Sequence, residues 1–173
     1  MRPLTRAEVR GAIANLDPAQ KRLHLPTWFD EVQWHRIDYL GWRDLRARMW
    51  VYLVADIDGQ ALGVMLRQNP NQAALGSRAV MCDLCRFTRR FNEVSLFTAP
   101  RPSKDKRQRL SGRGLHVCTD LDCSVNVHSK PLVGPLDPPA EETIERRREG
   151  LRERTATFLR SVSDSERPVR KGE

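Results

Sequence analysis

The amino-acid sequence predicts an α+β fold in which helices flank a small antiparallel sheet. Three observations predict it: a hairpin signal at Asp58-Gly59, two pairs of cysteines in mid-chain, and a long amphipathic pattern near the end. We expect a helical N-terminal region over residues 1–48 and an α/β domain over residues 49–162. The polar residues 163–173 are typical of a disordered tail.

The N-terminal region begins with helix signals. Thr5 and Glu8 have the spacing of a capping box, and Val9, Ile13 and Leu16 recur on one helical face. A stretch from residue 28 to 42 then holds three of the chain's four tryptophans. Such a stretch can anchor a partner. We interpret it as core, because large aromatic side chains in a chain with few of them are mostly buried.

The pattern becomes strand-like after residue 48. Two apolar runs flank Asp58-Gly59, a dipeptide typical of a two-residue hairpin turn. After a loop at 69–78, further strands are predicted at 93–99 and 115–118, with a basic loop at 100–114 between them.

The last segment predicts an amphipathic helix. Its apolar residues Ile144, Leu151, Phe158 and Leu159 form one stripe. We interpret the alternating charges on the rest of this helix as a solvated face.

The four cysteines form two close pairs. Two residues separate Cys82 and Cys85, four residues separate Cys118 and Cys123, and 32 residues lie between the pairs. Two such pairs supply the four thiolates of a tetrahedral Zn²⁺ site. A tight turn suits the first pair, and a strand leading into a helix suits the second. The spacing predicts a treble-clef zinc finger over about residues 80–130. Four sulfurs leave no open coordination position, so the predicted zinc is structural.

Three other interpretations of the cysteines remain open. Cys82 and Cys85 have the spacing of a thioredoxin-like redox pair, although strands rather than a helix follow them. Four cysteines also ligate iron–sulfur clusters, and buried thiols without metal occur in many cores. His116 and His128 flank the second pair, and we interpret them as ordinary packing or surface residues.

No enzyme motif is found in the sequence. The phosphate-binding loop, the nucleophile elbow and the zinc-protease helix motif are absent, and the deaminase pattern lacks its His-x-Glu. We therefore expect a protein that is not an enzyme.

Charge and hydropathy restrict the class of partner and the compartment. The net charge is +8, and residues 81–130 carry ten basic against five acidic side chains, which favours an acidic or phosphate-rich partner. No apolar run reaches the length of about 20 residues that spans a bilayer, and the first residues lack the apolar segment of a secretory signal. We expect a cytoplasmic monomer that does not bind membranes.

Several segments resemble the treble-clef domain of the FusB-type elongation factor G-binding proteins. The similar segments are MCDLC, VSLFTAPR and LHVCTDLDCSVNVHS, preceded by DYLGWRD and VYLVADIDGQALGVMLR. The resemblance covers about residues 38–162. In that family four cysteines hold the zinc, and the resemblance places this role on Cys82, Cys85, Cys118 and Cys123.

The resemblance also implies a function. Members of the family bind elongation factor G and release it from stalled ribosomes, which gives tolerance to fusidic acid, a drug that traps the factor there. We expect the contact surface to lie on the basic finger. Its candidate residues are Arg86, Phe87, Arg89 and Arg90 beside the first cysteine pair, and Arg101, Lys104, Lys106, Arg107, Arg109 and Arg113 in the basic loop.

Two other functions fit the same residues. A ribosome-associated finger that binds ribosomal RNA without contacting the factor would use the same basic side chains, and its affinity would fall steeply with salt. A redox-sensing zinc switch would lose its metal on oxidation of the thiolates.

Overall fold

A computed structural model describes residues 1–16, 23–70, 78–102 and 112–164. A five-stranded antiparallel sheet has the order β1-β2-β3-β6-β7, and β4 and β5 form a separate two-stranded sheet. The strands are β1 Leu40–Arg43, β2 Trp50–Ile57, β3 Gln60–Gln68, β4 Val80–Met81, β5 Thr88–Arg89, β6 Val94–Pro100 and β7 Gly112–Cys118. The helices are α1 Arg6–Ala12, α2 Cys123–Val127 and α3 Ala140–Ser163. The predicted α+β class, with its antiparallel sheet and C-terminal helix, is confirmed.

The central hairpin forms where the sequence predicts it. Strands β2 and β3 pair in a register that places Ile57 opposite Gln60, so Asp58 and Gly59 are the two turn residues. Both have positive φ, 53° and 82°. A two-residue turn with positive φ at both positions matches the right-handed twist of the strands, and the Asp-Gly dipeptide adopts it readily.

The prediction of a helical N-terminal region is wrong beyond its first turns. The Thr5 capping box forms and begins α1, but this helix has only seven residues. Two short 3₁₀ turns, Phe29–Glu31 and Trp34–Arg36, follow it, and Leu40–Arg43 is a strand. The β-branched and aromatic residues of this stretch are weak helix formers, and packing against the sheet determines their conformation.

The two faces of the large sheet are covered by different parts of the chain. One face packs against α1 and the segment up to Ile37, around Val9, Trp42 and Tyr52. The other face packs against α3 and the four cysteines, around Leu53 and Leu151. Alternate residues of β2 point to opposite faces, so Val51 and Leu53 lie in one cluster and Tyr52 and Val54 in the other.

Most of the aromatic stretch is core, as predicted, with Phe29, Tyr39 and Trp42 buried and Trp28 exposed. Leu151 and Leu159 of the predicted helical stripe are buried, whereas Ile144 and Phe158 are half-buried. Residues 17–22, 71–77, 103–111 and 165–173 lie outside the described residues. With them lie most of the predicted loop at 69–78, the centre of the basic loop and nearly all of the predicted tail.

Candidate metal centre

The four cysteines come from two local structures that the chain brings together. Cys82 and Cys85 lie in the turn between β4 and β5, Cys118 ends β7, and Cys123 begins α2. The turn lies against β7, because the Asp83 amide donates to the His116 carbonyl at 2.7 Å and the His116 amide donates to an Asp83 carboxylate oxygen at 2.7 Å. A buried knuckle and a strand–helix junction therefore converge, as in the predicted finger.

The sulfur positions fit one tetrahedral metal ion. The Sγ atoms of Cys82 and Cys123 are 3.6 Å apart, and those of Cys85 and Cys118 are 3.7 Å apart. All four atoms lie within 4.8 Å of one another, and all four residues are buried. Four ligands at about 2.3 Å from Zn²⁺ would place the sulfurs about 3.8 Å apart. The donor set and its spacing therefore fit structural zinc.

The charge of the thiols also favours a cation at their centre. Hydrogen bonds from Cys118 and Cys123 move the pKa of Cys82 well below that of a free thiol. Hydrogen bonds with Cys118 and Cys82, together with burial, raise the pKa of Cys123 well above the usual range of a thiol. Four thiolates this close repel one another, so all four ionise together only when a cation compensates their charge.

The backbone of the knuckle has a conformation that most side chains avoid. The Cys82 amide donates to the Phe87 carbonyl, and the Arg86 amide donates to the Cys82 carbonyl, each at 3.0 Å. Closing this turn requires a φ of 63° at Arg86. A residue with a Cβ in this left-handed region costs about 1 kcal/mol or more relative to glycine. The knuckle is thus formed at the expense of local strain.

Asn126 contacts the metal centre and was not identified from the sequence. Its Nδ2 lies 3.4 Å from the Cys118 Sγ, and its Oδ1 accepts a bond of 2.6 Å from Arg89. An amide donor stabilises a neighbouring thiolate, and Arg89 fixes which way the amide points. The spacing of Asn126 three residues after Cys123 places it one helical turn further on, which is the signal that could have identified it.

Tyr39 joins the N-terminal segment to the metal centre. Its hydroxyl donates to the Leu121 carbonyl at 2.8 Å, and burial raises the pKa of this hydroxyl well above its usual range. Leu121 has a φ of 65° between the last two cysteines. Asp38, the residue before Tyr39, donates its amide to the Ser124 hydroxyl at 3.0 Å. These two bonds position the start of α2.

Helix α3 contacts the knuckle through arginines. Arg154 Nε donates to the Leu84 carbonyl at 2.6 Å, and the Arg147 guanidinium lies 5.1 Å from the centre of the Phe87 ring. Gly150 leaves room for this arrangement, because a Cβ there would lie 2.6 Å from an Arg154 guanidinium nitrogen. The charged side of α3 is therefore partly an internal contact surface.

A buried carboxylate lies beneath the same helix. The Asp38 side chain is 1% exposed and accepts hydrogen bonds from Arg148 at 3.3 Å and Arg152 at 3.4 Å. A buried charge of this kind requires such partners. The interpretation of the α3 charges as a solvated face is therefore wrong for Arg147, Arg148 and Arg154, because distant parts of the chain supply their partners.

The candidate partner-binding residues differ in their availability. Arg86, Arg90 and Arg113 are exposed, and Arg101 is half-buried. Arg89 is engaged by Glu93 and Asn126, and Arg147 covers Phe87. Lys104, Lys106, Arg107 and Arg109 lie outside the described residues. Two exposed apolar residues beside the knuckle, Met81 and Phe91, were not identified from the sequence.

Neither histidine belongs to the metal centre. His116 Nδ1 lies 3.8 Å from the Asp83 carboxylate, and the four cysteines are the one group with metal-binding spacing in the described ranges.

Among the helices of the described ranges, none has the length and apolar content needed to cross a bilayer.

The sequence model of one protein family matches the chain. The match to the family described as "FBP C-terminal treble-clef zinc-finger" covers residues 8–162, which includes the sheet, the metal centre and nearly all of α3. A search of curated proteins and a search of solved structures each gave no significant match. The predicted FusB-type family and the predicted zinc cofactor are both confirmed.

Proposed function

Because the chain belongs to the FBP C-terminal treble-clef zinc-finger family, we propose that it binds elongation factor G and helps to release or recycle it from the ribosome. The family match carries the partner in this proposal, and the closed metal centre carries the binding rather than catalytic role. Four buried sulfurs leave no coordination position for a substrate, so the zinc stabilises a binding surface and does not take part in a reaction. In this proposal the protein is a cytoplasmic monomer without enzymatic activity.

The exposed residues around the knuckle form the surface that we assign to the factor. They are Met81, Arg86, Arg90 and Phe91, and we call them the knuckle surface. Met81 is 49% exposed and Phe91 is 38% exposed. An open cleft of about 550 Å³ lies beside them, lined by Thr88, Arg89, Arg90, Phe91 and Glu93. Apolar side chains would supply affinity, and the arginines would speed the encounter with an acidic surface.

This surface replaces Phe87 as the expected apolar anchor. Phe87 packs against the core and lies beneath Arg147, so a partner would have to displace an existing contact to reach it. Phe91 and Met81 already expose apolar area at the knuckle. Burial of apolar surface contributes about 25 cal/mol of favourable free energy per Å². Met81 and Phe91 are therefore the better candidates for the apolar anchor.

The direct test is a titration of the full chain with purified elongation factor G. We expect Arg90→Ala and Phe91→Ala each to raise the dissociation constant at least fivefold. Arg10→Ala is the matched control, because Arg10 is an exposed arginine of α1 on the other side of the sheet. Absence of binding by the unsubstituted protein at low salt would overturn the proposal.

A second function, binding of ribosomal RNA without contact to the factor, is favoured by one observation. Arg86, Arg90 and Arg113 are exposed in a segment with ten basic and five acidic residues. Binding to RNA would release counterions, so its affinity would fall with a log–log slope of about −0.7 for each phosphate contacted on a single strand. Parallel salt titrations on RNA and on the factor separate the two functions.

A cellular readout tests release from the ribosome. Loss of the protein should increase the share of elongation factor G that sediments with ribosomes in the presence of fusidic acid. Restoring the protein with Phe91→Ala should leave this share high, whereas restoring it with Arg10→Ala should lower it. An unchanged share in the absence of the protein would contradict the role in release.

A further inference from the structure

A small apolar cleft lies between the N-terminal segment and the finger helix α2. Its volume is about 230 Å³. The N-terminal segment supplies Trp28, Val32, Gln33 and Ile37, the start of the sheet supplies Tyr39, Leu40 and Gly41, and the finger supplies Leu121, Asp122, Ser124 and Val125. The cleft lies apart from the knuckle surface, with which it shares no residue. We call it the anchor cleft.

The size of the anchor cleft indicates what it can receive. Sites for cofactors and drug-sized molecules have volumes of about 300–1,000 Å³, so this cleft is too small for them. It has the dimensions of a pocket for one large apolar side chain. Pockets of this kind hold the few residues that contribute most of the energy of a protein–protein interface.

The walls of the anchor cleft are held rigidly before any partner arrives. The Tyr39 hydroxyl donates to the Leu121 carbonyl, and the Asp38 amide donates to the Ser124 hydroxyl. These hydrogen bonds join the two walls of the cleft and also position the metal ligand Cys123. Two apolar residues nevertheless remain in water at its rim, with Trp28 44% exposed and Val125 66% exposed. A preorganised pocket loses little entropy when a partner binds, which favours affinity.

The charge at the anchor cleft is opposite to that of the whole protein. Asp122 is the one charged residue among those that line the cleft. Its side chain is exposed, and the charge of Arg89 acts on its carboxylate from beyond the cleft. Asp120, two residues earlier, is also exposed, and its carboxylate lies 4.0 Å from the Arg89 guanidinium. A protein with a net charge of +8 thus presents an apolar pocket with a carboxylate at its edge. The complementary segment has an apolar side chain next to a lysine or arginine.

We propose that the anchor cleft receives an apolar side chain of elongation factor G that has a basic residue beside it in sequence. This inference rests on the proposed function and adds a second contact to the knuckle surface. The apolar side chain occupies the space between Trp28 and Val125, and the basic side chain pairs with Asp122.

The test uses Val125→Arg in the full chain, titrated with elongation factor G. The new side chain occupies the cleft and repels the basic residue of the partner. Leu45→Arg is the matched control, because Leu45 is 62% exposed and does not line the cleft. We expect Val125→Arg to weaken binding at least tenfold and Leu45→Arg less than twofold. Equal effects of the two substitutions would overturn the inference.

Two further variants separate the apolar and the ionic contact. Trp28→Ala should weaken binding at least fivefold at every salt concentration, and Asp122→Asn should weaken it at low salt and flatten the salt dependence. Zinc content and the thermal midpoint identify any variant with a damaged fold. If Trp28→Ala and Asp122→Asn keep both and bind like the unsubstituted protein, the inference is wrong.

The outcomes also distinguish this inference from the proposed function. If Arg90→Ala weakens binding and the cleft variants do not, the factor binds the knuckle surface alone and the anchor cleft is no contact site. A photo-crosslinking residue at position 28 checks the partner segment directly. Crosslinks to an acidic segment of the factor, or within the same chain, would contradict the assignment. If the unsubstituted protein does not bind the factor, both proposals fall together.

Discussion

The two faces of the five-stranded sheet are covered by different physical means. On one face, α1 and the N-terminal segment bury an apolar cluster that includes the stacked pair Trp42 and Tyr52, with ring centres 4.9 Å apart. The buried Asn15 completes this face by bonding the Met65 amide and two carbonyls. On the other face, the covering segments are held by the four cysteine thiols and by contacts of arginines from α3.

The difference shows what a short segment needs in order to pack. The N-terminal segment is rich in large apolar side chains, and burial of these is enough to hold it on the sheet. The knuckle offers few apolar residues between β4 and β5, and the two strands have only two residues each. Such a small element is not stable by itself, so a metal and contacts from α3 take the place of a larger core.

The largest expected effect tests the dependence of the finger on its metal. Cys118→Ser should abolish cooperative unfolding of the finger, because structural zinc contributes about 10–16 kcal/mol, as much as the whole stability of a typical domain. Hydrogen exchange measures it: amides of the knuckle and α2 should lose protection. Chelation of zinc from the unsubstituted protein should have the same effect, and addition of zinc should reverse it. Unchanged protection in the variant would show that the metal is not required.

The next effect concerns the buried carboxylate beneath α3. Replacing both Arg148 and Arg152 by glutamine leaves Asp38 buried without its two arginine partners, which should cost about 3 kcal/mol of unfolding free energy. Arg146→Gln is the matched control, since the pair of Arg146 with Glu142 is exposed and such pairs contribute less than about 1 kcal/mol. Chemical denaturation measures both. A double variant as stable as the control would show that Asp38 does not depend on these partners.

A pair of glycines compares the helices of the two faces. Alanine at an exposed helix-interior glycine stabilises by up to about 1 kcal/mol. We expect this gain at Gly11 of α1, where a Cβ would meet nothing within 4 Å. At Gly150 of α3 the new Cβ would displace the Arg154 guanidinium, so the gain should be offset. Chemical denaturation of Gly11→Ala and Gly150→Ala checks this. An equal gain in unfolding free energy at both sites would mean that the Arg154 contact contributes nothing to stability.

The smallest expected effect concerns the strained knuckle. Arg86→Gly should stabilise the protein by about 0.5–1 kcal/mol, because glycine adopts the positive φ without steric cost. Arg90→Gly should not stabilise it, since Arg90 has no positive φ. Thermal unfolding of the zinc-loaded proteins distinguishes them. If Arg86→Gly is destabilising, the Arg86 side chain makes a contribution larger than the strain.

Local patterns in the sequence predicted much of the molecule. The Asp58-Gly59 turn, the capping box of Thr5 and Glu8, and the long C-terminal helix depend on neighbouring residues, and all three are found. The N-terminal region was wrongly predicted to be helical because a strand such as β1 has only four residues, too few for a clear period of two. Its partner, β2, lies beyond the next turn, and pairing with it decides the conformation.

The sequence by itself determined the ligand set of the metal centre, because four cysteines in two close pairs supply the four thiolates of a tetrahedral site. Only the tertiary structure decided what surrounds them. Asn126, Tyr39 and Arg154 reach the finger through contacts within or between elements that spacing alone does not identify. The physical reason is range: a turn or a ligand pair is fixed by residues a few positions apart, whereas a buried charge such as Asp38 finds its partners more than one hundred positions away.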